Sequence, residues 1–396
     1  MGGKENVLIV TSSFPRWEGD SHAHMVLGLA QSLAAKGAGV TVLAPHFPGA
    51  KFREQLGEVE VRRFPYFFPF SAQVLCGDEG VVPKVQARPW LGLLLPFLAA
   101  SELAHLALFL ARNRVRSVFA LWLIPQGLAA CLLKPFFRFR LVSYAIDGDS
   151  LPQNSHLLKL LRGAVLKYSD ATIAVSPPVA EELRAAYPGQ AGKISAVPFG
   201  IDTSRFRSGK AGMGKSILFI GRLIEWKGAH HLIECLPEVL AAEPDARLRI
   251  VGSGPMEPEL RRIAKERGVE GSVEFMGRVP HGNLHRIIQE SAVLAHPATE
   301  KGGKETLGVA LLEAMACGLP VVGAKSGAIP YVLESGKAGI LVEPEQPGEL
   351  AKAIIRVLGD GKLRNELSRR ARARAEQFSW GRMGGKFEKA LLPAGG

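Results

Sequence analysis

"NVLIVTSSFPRWEGDSHAHMVLGLAQSLAAKGAGVTVLAP", residues 6–45, sets the fold class. The apolar run NVLIV is followed by HMVLGLAQSLAAKG, whose apolar residues recur at helical spacing up to Gly37, and then by a second apolar run, GVTVLAP. Strand, helix and strand within about 40 residues form a βαβ unit, which requires a parallel sheet. Further strands are expected at VRSVFAL (115–121), RLVSYAI (140–146), DATIAVS (170–176) and KISAVP (193–198). Around residues 200–214 the pattern relaxes into Gly, Ser, Thr, Lys and Arg, a linker composition. The rhythm then restarts with SILFIGR and runs through HHLIECLPEVLAAE, ARLRIVGSGP, ELRRIAKERG, SVEFMG, LHRIIQES, AVLAHPA, TLGVALLEAMACG, LPVVGA and AGILVEP to a long helix over 349–377. Two α/β domains of similar size are therefore expected.

The totals agree. A chain of 396 residues exceeds one ordinary core and fits two domains. Its formal charge is +12, with Lys and Arg exceeding Asp and Glu by 21 to 15 over residues 1–205 and by 28 to 22 over 206–396. No single basic tail stands out, and without zinc-finger spacing or an arginine-rich arm a nucleic-acid partner is not expected. The four cysteines (Cys76, Cys131, Cys235, Cys317) form no C-x-x-C pair, which suits buried thiols in a reducing compartment. The opening residues read as a first strand rather than a signal peptide. The stretch at 90–110 approaches spanning length, but Pro96, Glu102 and His105 interrupt it, so a buried or membrane-facing helix is expected there.

"GKAGMGKS" (209–216) matches the phosphate-loop pattern, yet a loop precedes it and the strand ILFIG follows it. A phosphate loop needs the reverse order, with a helix N-terminus behind the nest of amides. The match reads as a linker.

Chemistry points downstream. Arg222 and Lys227 lie in the turn after the second domain's first strand, where such sheets bind ligands, and supply a planar fork and a point charge for phosphate. In "KETLGVALLEAMACGLPVV" (304–322), Thr306 is expected to cap a helix over 307–317, ended by Gly318. The amides of Thr306, Leu307 and Gly308 would then form an anion site aided by the helix dipole. Glu305 precedes this end and Glu313 follows eight residues on, about 12 Å along a helical axis. That separation suits a sugar at one carboxylate and a ribose at the other. Glu313 lies among Leu311, Leu312, Ala314 and Met315, a costly place for an unpartnered charge.

These residues resemble the retaining glycosyltransferases of family 4, over nearly the whole chain. GRLIEWKG is similar to the family's diphosphate-binding turn, IVGSGP to its glycine turn near the nucleotide, VEFMGRV to its base-contacting loop, and ETLGVALLEAMACGLPVV to its E-x7-E signature. AVPFGIDTSRF resembles the segment leading into the linker, and TSSFPRWEGD with the following helix resembles the opening of a bacterial cell-envelope subgroup. The resemblance implies the GT-B architecture, two Rossmann-like parallel-sheet domains facing across a cleft. It assigns residues 1–205 to the acceptor, 206–377 to the nucleotide-sugar donor, and 378–396 to a segment crossing back to the first domain. It implies metal-independent transfer from a nucleotide-diphosphate sugar, with UDP or GDP as the expected nucleotide, no cofactor, and an α-glycosidic product. Glu305 would orient the donor. Arg222, Lys227, Thr306, Leu307, Gly308 and Gly19 would hold the diphosphate, and Glu313, Gly252, Gly254 and Arg278 the nucleoside.

Departures from the pattern fall on the acceptor side. Relatives have a His-Gly-x-Asp turn where this chain has "SYAIDGDSLP", with Ile146 at the His position and Asp149, or Asp147 after a one-residue shift, at the Asp position. A His-x-His-Trp before LIPQG is replaced by FALW, leaving Phe119 and Leu121. Either Asp147 or Asp149 serves acceptor chemistry, or activity is altered or lost; both are equally read as turn residues beside Gly148. PFG for Pro-Asn-Gly, and Tyr331 for a frequent Glu, are milder changes. YFFPF (66–70), the helix near 91–110, and HLLKLLRGAVLKY (156–168) with Lys159, Arg162 and Lys167 suit a lipid-linked or membrane-surface acceptor, or ordinary packing. The expected setting is cytoplasmic, with peripheral contact to the inner membrane face. A nucleotide-sugar epimerase and a catalytically silent sugar-nucleotide binder are the alternatives.

Overall fold

A computed structural model describes residues 5–20, 22–77, 80–146, 155–207 and 214–393. The chain forms two units: Met1–Gly200 with Trp380–Gly396, and Ile201–Ser379.

The first unit holds strands β1 (Asn6–Val10), β2 (Gly39–Pro45), β3 (Arg53–Leu56), β4 (Val59–Phe64), β5 (Ser117–Leu121), β6 (Arg140–Ala145), β7 (Ala171–Ala174) and β8 (Ile194–Ala196). They lie in the order β3-β4-β2-β1-β5-β6-β7-β8. β1 runs parallel to β2, pairing Val7 with Val40 and Ile9 with Val42, as the opening βαβ reading requires. Val7, Leu8, Ile9 and Val10 are all buried because helices cover both faces, which is why the strand reads as a continuous apolar run rather than an alternation. Among the described strands only β3 is antiparallel, hairpinned onto β4 through Gly57 at φ +63°. β3 is the edge strand and is mostly polar (REQL), while β4 (VEVRRF) alternates buried and charged residues, so neither reads as an apolar run.

The last helix, Trp380–Leu391, belongs to this unit. Gly28, on the helix His24–Ala34, and Gly200 both give room to the Trp380 ring: a Cβ at either would come within 2.6 Å of it. Phe387 packs on Phe119 and Tyr144, and Arg140 Nε donates to the Ala390 carbonyl at 2.9 Å. Phe119 and Leu121, at the positions of the His-x-His-Trp histidines, are thus fully buried core residues of β5.

The long apolar stretch begins as a 3-10 turn, Pro89–Leu94, and continues as the helix Leu95–Arg112, with Pro96 accommodated in its first turn. Leu98, Glu102, Leu106, Phe109 and Leu110 face the core, while Trp90, Leu93, Phe97 and Leu108 are exposed. Glu102 is 1% exposed and accepts a hydrogen bond from Gln126 Nε2 at 3.1 Å; Glu102 Oε1 and Gln126 Oε1 are buried without partners. Burial pushes the Glu102 carboxyl up to about 7, against the opposing hydrogen bond from Gln126.

The second unit is an all-parallel sheet of β9 (Ser216–Ile220), β10 (Arg247–Val251), β11 (Val273–Gly277), β12 (Val293–His296), β13 (Val321–Ala324) and β14 (Ile340–Val342). Its order β11-β10-β9-β12-β13-β14 is the doubly wound arrangement, with the chain reversing direction across the sheet between β9 and β12. The expected long helix over 349–377 is two helices, Pro347–Gly359 and Gly361–Glu376. Asp360 turns extended between them, and its carboxylate accepts the amides of Lys362 and Leu363, so a side-chain cap restarts the helix. The chain enters and leaves this unit side by side, with the Ile201 amide donating to the Phe378 carbonyl at 2.9 Å. Residues 209–213 of the phosphate-loop match lie outside the described residues. β9 follows directly, and Lys215 pairs with Glu243.

Candidate active site

The loops at the carboxyl ends of β9, β10, β12 and β13 in the second unit are locked together by backbone approaches that only glycine permits. A Cβ on Gly252 (φ +139°) would meet the Gly221 carbonyl at 1.8 Å, and one on Gly254 the Leu223 carbonyl at 2.3 Å. These two glycines therefore join the β9 and β10 turns. Gly228 (φ +73°) lies against the Pro297 carbonyl, and the Thr299 amide donates to the Trp226 carbonyl at 2.7 Å, joining the β9 turn to the loop after β12. The Ala328 amide donates to the Glu305 carbonyl at 2.7 Å, adding the β13 turn.

Glu305 sits at this junction, beside the β9/β12 switch point. It is 8% exposed, and donors surround its carboxylate: Lys227 Nζ at 2.5 Å and His296 Nε2 at 2.8 Å on Oε2, and the Gly308 amide at 3.1 Å on Oε1. Burial opposes ionisation, but the Lys227 ammonium and the His296 hydrogen bond hold the carboxyl well below its usual range. Lys227 also lies 4.3 Å over the Trp226 ring.

The helix behind this carboxylate starts later than the sequence suggests. It is Val309–Ala316, with Gly308 at the cap position in the left-handed region (φ +77°). Thr306 is not the cap, and Leu307 is buried rather than in the first turn. The apolar Leu307 is drawn into the core and a left-handed glycine turns the chain into the helix. Of the three amides expected to await an anion, that of Gly308 is already held by Glu305. The first-turn amides of Val309 and Ala310 remain without intrahelical acceptors by the geometry of any α-helix. The axial rise over eight helical residues accordingly does not apply between Glu305 and Glu313, since Glu305 precedes the helix.

Glu313 is buried on that helix, and Oε1 accepts from His281 Nε2 at 2.7 Å, which answers the expectation that it needs a partner. Arg222 is exposed in the β9 turn, with no hydrogen bond or ion pair from its guanidinium among the described residues. Arg278, after β11, donates through Nε to Ser253 Oγ at 2.7 Å, beside the glycine turn. Gly19 belongs to the first unit, at φ +80° in the loop after β1, where Arg16 and Asp20 form a two-point ion pair. Asp147 and Asp149 lie outside the described residues.

His296 and His281, the partners of the two acids, were missed by sequence reasoning. His296 is the last residue of a strand read only for its apolar run (AVLAHPA), and His281 precedes Glu313 by 32 residues. The only signal available was Glu313 itself, a carboxylate in an apolar helix that requires a donor from elsewhere.

Two family models match. One, described as Glycosyltransferase Family 4, covers residues 23–205, and the other, Glycosyl transferases group 1, covers residues 200–374. The chain belongs to the family-4 glycosyltransferases of the GT-B type. A Corynebacterium glutamicum protein named GDP-mannose-dependent monoacylated alpha-(1-6)-phosphatidylinositol monomannoside mannosyltransferase is 34% identical over 212 residues, covering 49% of this chain and 55% of that one. A D-inositol 3-phosphate glycosyltransferase of Corynebacterium jeikeium is 30% identical over 254 residues, 59% of each. The aligned region thus spans somewhat over half the length of these relatives. Among solved structures, sucrose-phosphate synthase from Thermosynechococcus elongatus superposes with a TM-score of 0.79 at 21% identity, covering 99% of this chain and 100% of the other. HepE of Anabaena, solved with UDP-glucose, gives 0.70 at 18% identity, covering 98% and 99%. At such identities these superpositions establish the family-4 chain's fold.

Proposed function

We propose that this family-4 chain transfers a sugar from a nucleotide-diphosphate donor, UDP- or GDP-linked, to a glycan or lipid-linked acceptor with retention at the anomeric carbon, giving an α-glycoside. The observation that carries this reading is the Glu305 carboxylate at the β9/β12 switch point, fixed by Lys227 and the Gly308 amide, with the exposed Arg222 in the same turn as Lys227. The developing charge on the leaving diphosphate would meet Arg222, Lys227 and the amino end of the Val309–Ala316 helix, so no metal ion is required for its neutralisation. A carboxylate already accepting from three donors is a poor nucleophile, which favours an orienting role for Glu305 on the donor's hydroxyls. The departing phosphate would then take the acceptor's proton on the same face. Glu313, with Gly252, Gly254 and Arg278 bordering the adjoining turn, would serve the nucleoside.

The relatives named for GDP-mannose and for inositol phosphate, together with the HepE complex, support a nucleotide sugar and an envelope-type acceptor. Peripheral contact with the inner face of a membrane is part of the proposal. On the first unit's helix His156–Tyr168, Leu157 and Leu160 are 64% and 72% exposed beside the exposed Lys159 and Lys167, a face suited to an anionic bilayer. The acceptor-side assignment of the first unit and of Asp147 and Asp149 stands on the resemblance alone.

The test is incubation of the full chain with UDP-glucose and with GDP-mannose, without divalent cations, with and without a polyprenyl-phosphate or phosphatidylinositol acceptor. Release of nucleoside diphosphate with an α-linked product by NMR is expected. Conversion of the donor to an epimer without acceptor, or donor binding with no turnover in any arm, would replace this reading by one of its two alternatives.

A further inference from the structure

We propose that His296 is a positioning residue for Glu305: its Nε2–H holds the carboxylate in place while Lys227 turns to the donor's diphosphate. The inference rests on the reading of Glu305 given above and adds a residue to that site.

His296 ends β12 and is 1% exposed. Its ring lies nearly flat against Phe219 of β9, with centroids 6.2 Å apart and planes 9° apart, and its backbone pairs with Gly323 of β13. Ring and backbone are thus fixed from both neighbouring strands. A carboxylate can only accept, so the 2.8 Å contact with Glu305 Oε2 puts a proton on Nε2. Nδ1 is buried and has no partner, so a second proton there would have no acceptor. The geometry therefore selects the neutral Nε2–H tautomer. Burial, with the Lys227 charge adding to it, pushes the pKa of His296 down against the pull of Glu305, in the same sense.

The consequence concerns Lys227. An ionised carboxylate offers about four lone-pair sites. Three are used here, by Lys227, His296 and the Gly308 amide. Were Lys227 and Gly308 the sole donors, the arriving diphosphate would compete with Glu305 for the ammonium, and a carboxylate that lost it would be free to rotate. With a neutral N–H on the same oxygen, the ammonium can shift toward phosphate and the carboxylate keeps its orientation. The oxygen site that Lys227 vacates is then open to a sugar hydroxyl. A neutral donor suits this role better than a cation, which would itself be drawn to the diphosphate.

The experiment compares His296→Leu, which removes the donor, with His296→Gln, whose amide nitrogen reaches the position of Nε2. Donor turnover is followed with UDP-glucose and GDP-mannose, and UDP and GDP affinity by calorimetry. The expected result for His296→Leu is a kcat reduced on the order of 30-fold or more, with donor KM and nucleotide affinity within about 3-fold of the parent. His296→Gln should recover to within about 5-fold of the parent. Parental kcat in His296→Leu, or equal impairment in both variants, overturns the proposal. Glu305→Ala is measured alongside: if it too retains turnover, the role assigned to Glu305 has failed, whereas if it alone is impaired, only the role of His296 has. A readout independent of turnover is the 15N spectrum of histidine-labelled protein. It should show His296 as a neutral Nε2–H ring from pH 5 to 8, and a ring that is Nδ1-protonated or titrates in that range refutes the inference.

Discussion

Replacing Glu102 by Gln tests the electrostatics of the first unit most directly. Glu102 is buried on the inner face of the Leu95–Arg112 helix, and its carboxyl is raised from 4.5 to about 7. Because the folded chain holds this proton more tightly than the unfolded one, the stabilisation is fully present below pH 4.5 and is lost as pH rises toward 7. The full shift of about 2.5 units corresponds to roughly 3.4 kcal/mol at 1.36 kcal/mol per unit. Between pH 5 and pH 8 the linkage relation leaves about 2.5 kcal/mol of that change. Glu102→Gln removes the titration, keeps the shape, and offers an amide donor where Glu102 Oε1 and Gln126 Oε1 now lack partners. The variant should match the parent within about 1 kcal/mol at pH 5 and exceed it by about 2–3 kcal/mol at pH 8. Urea unfolding followed by tryptophan fluorescence reads this, since Trp17, Trp90, Trp122 and Trp380 belong to the first unit and only Trp226 to the second. A parent-to-variant difference that stays within about 0.5 kcal/mol across the same pH range would refute a protonated Glu102.

Glu305→Ala should lower donor turnover more than nucleotide affinity, and Glu313→Ala should do the opposite; steady-state kinetics with calorimetry would expose a reversal of these roles. Gly252→Ala forces a Cβ against the Gly221 carbonyl at a backbone angle that L-residues avoid, and should destabilise the second unit by about 2–4 kcal/mol in urea unfolding. Unchanged stability would mean the β9 and β10 turns are not held together as described. Lys159→Glu with Arg162→Glu should abolish sedimentation with anionic vesicles, and a parent chain that fails to sediment with them would dismiss membrane contact.

The alternation of strands and helices was readable because both faces of each sheet are covered, so the central strands are continuous apolar runs such as Val7–Val10 and Ile217–Phe219. The β3–β4 hairpin was not: β3 lies at the sheet edge, where Arg53 pairs with Glu60, and β4 alternates buried Val59 and Val61 with the charged Glu60 and Arg62, so neither strand is a continuous apolar run. At the candidate site, turn chemistry singled out Arg222 and Lys227, and the structure sets Lys227 on Glu305 with Arg222 exposed in the same turn, whereas the helical spacing argued between Glu305 and Glu313 does not hold. The start of the helix was misjudged because Thr306 satisfies the composition of a cap. What decides the start is that Leu307 is buried and Gly308 adopts a left-handed conformation, both set by tertiary packing. His296 and His281 were illegible because their meaning comes from carboxylates supplied by other elements.

The return of the helix Trp380–Leu391 to the first unit has a consequence for how the chain comes off the ribosome. Residues 201–379 are contiguous and can complete their sheet as they emerge, whereas the earlier-made half must wait, with the slots at Gly28 and Gly200 unfilled, until the indole of Trp380 arrives. The part synthesised first is therefore the last to be finished, and a messenger truncated before codon 380 would release a protein with an intact second unit and an uncovered first one.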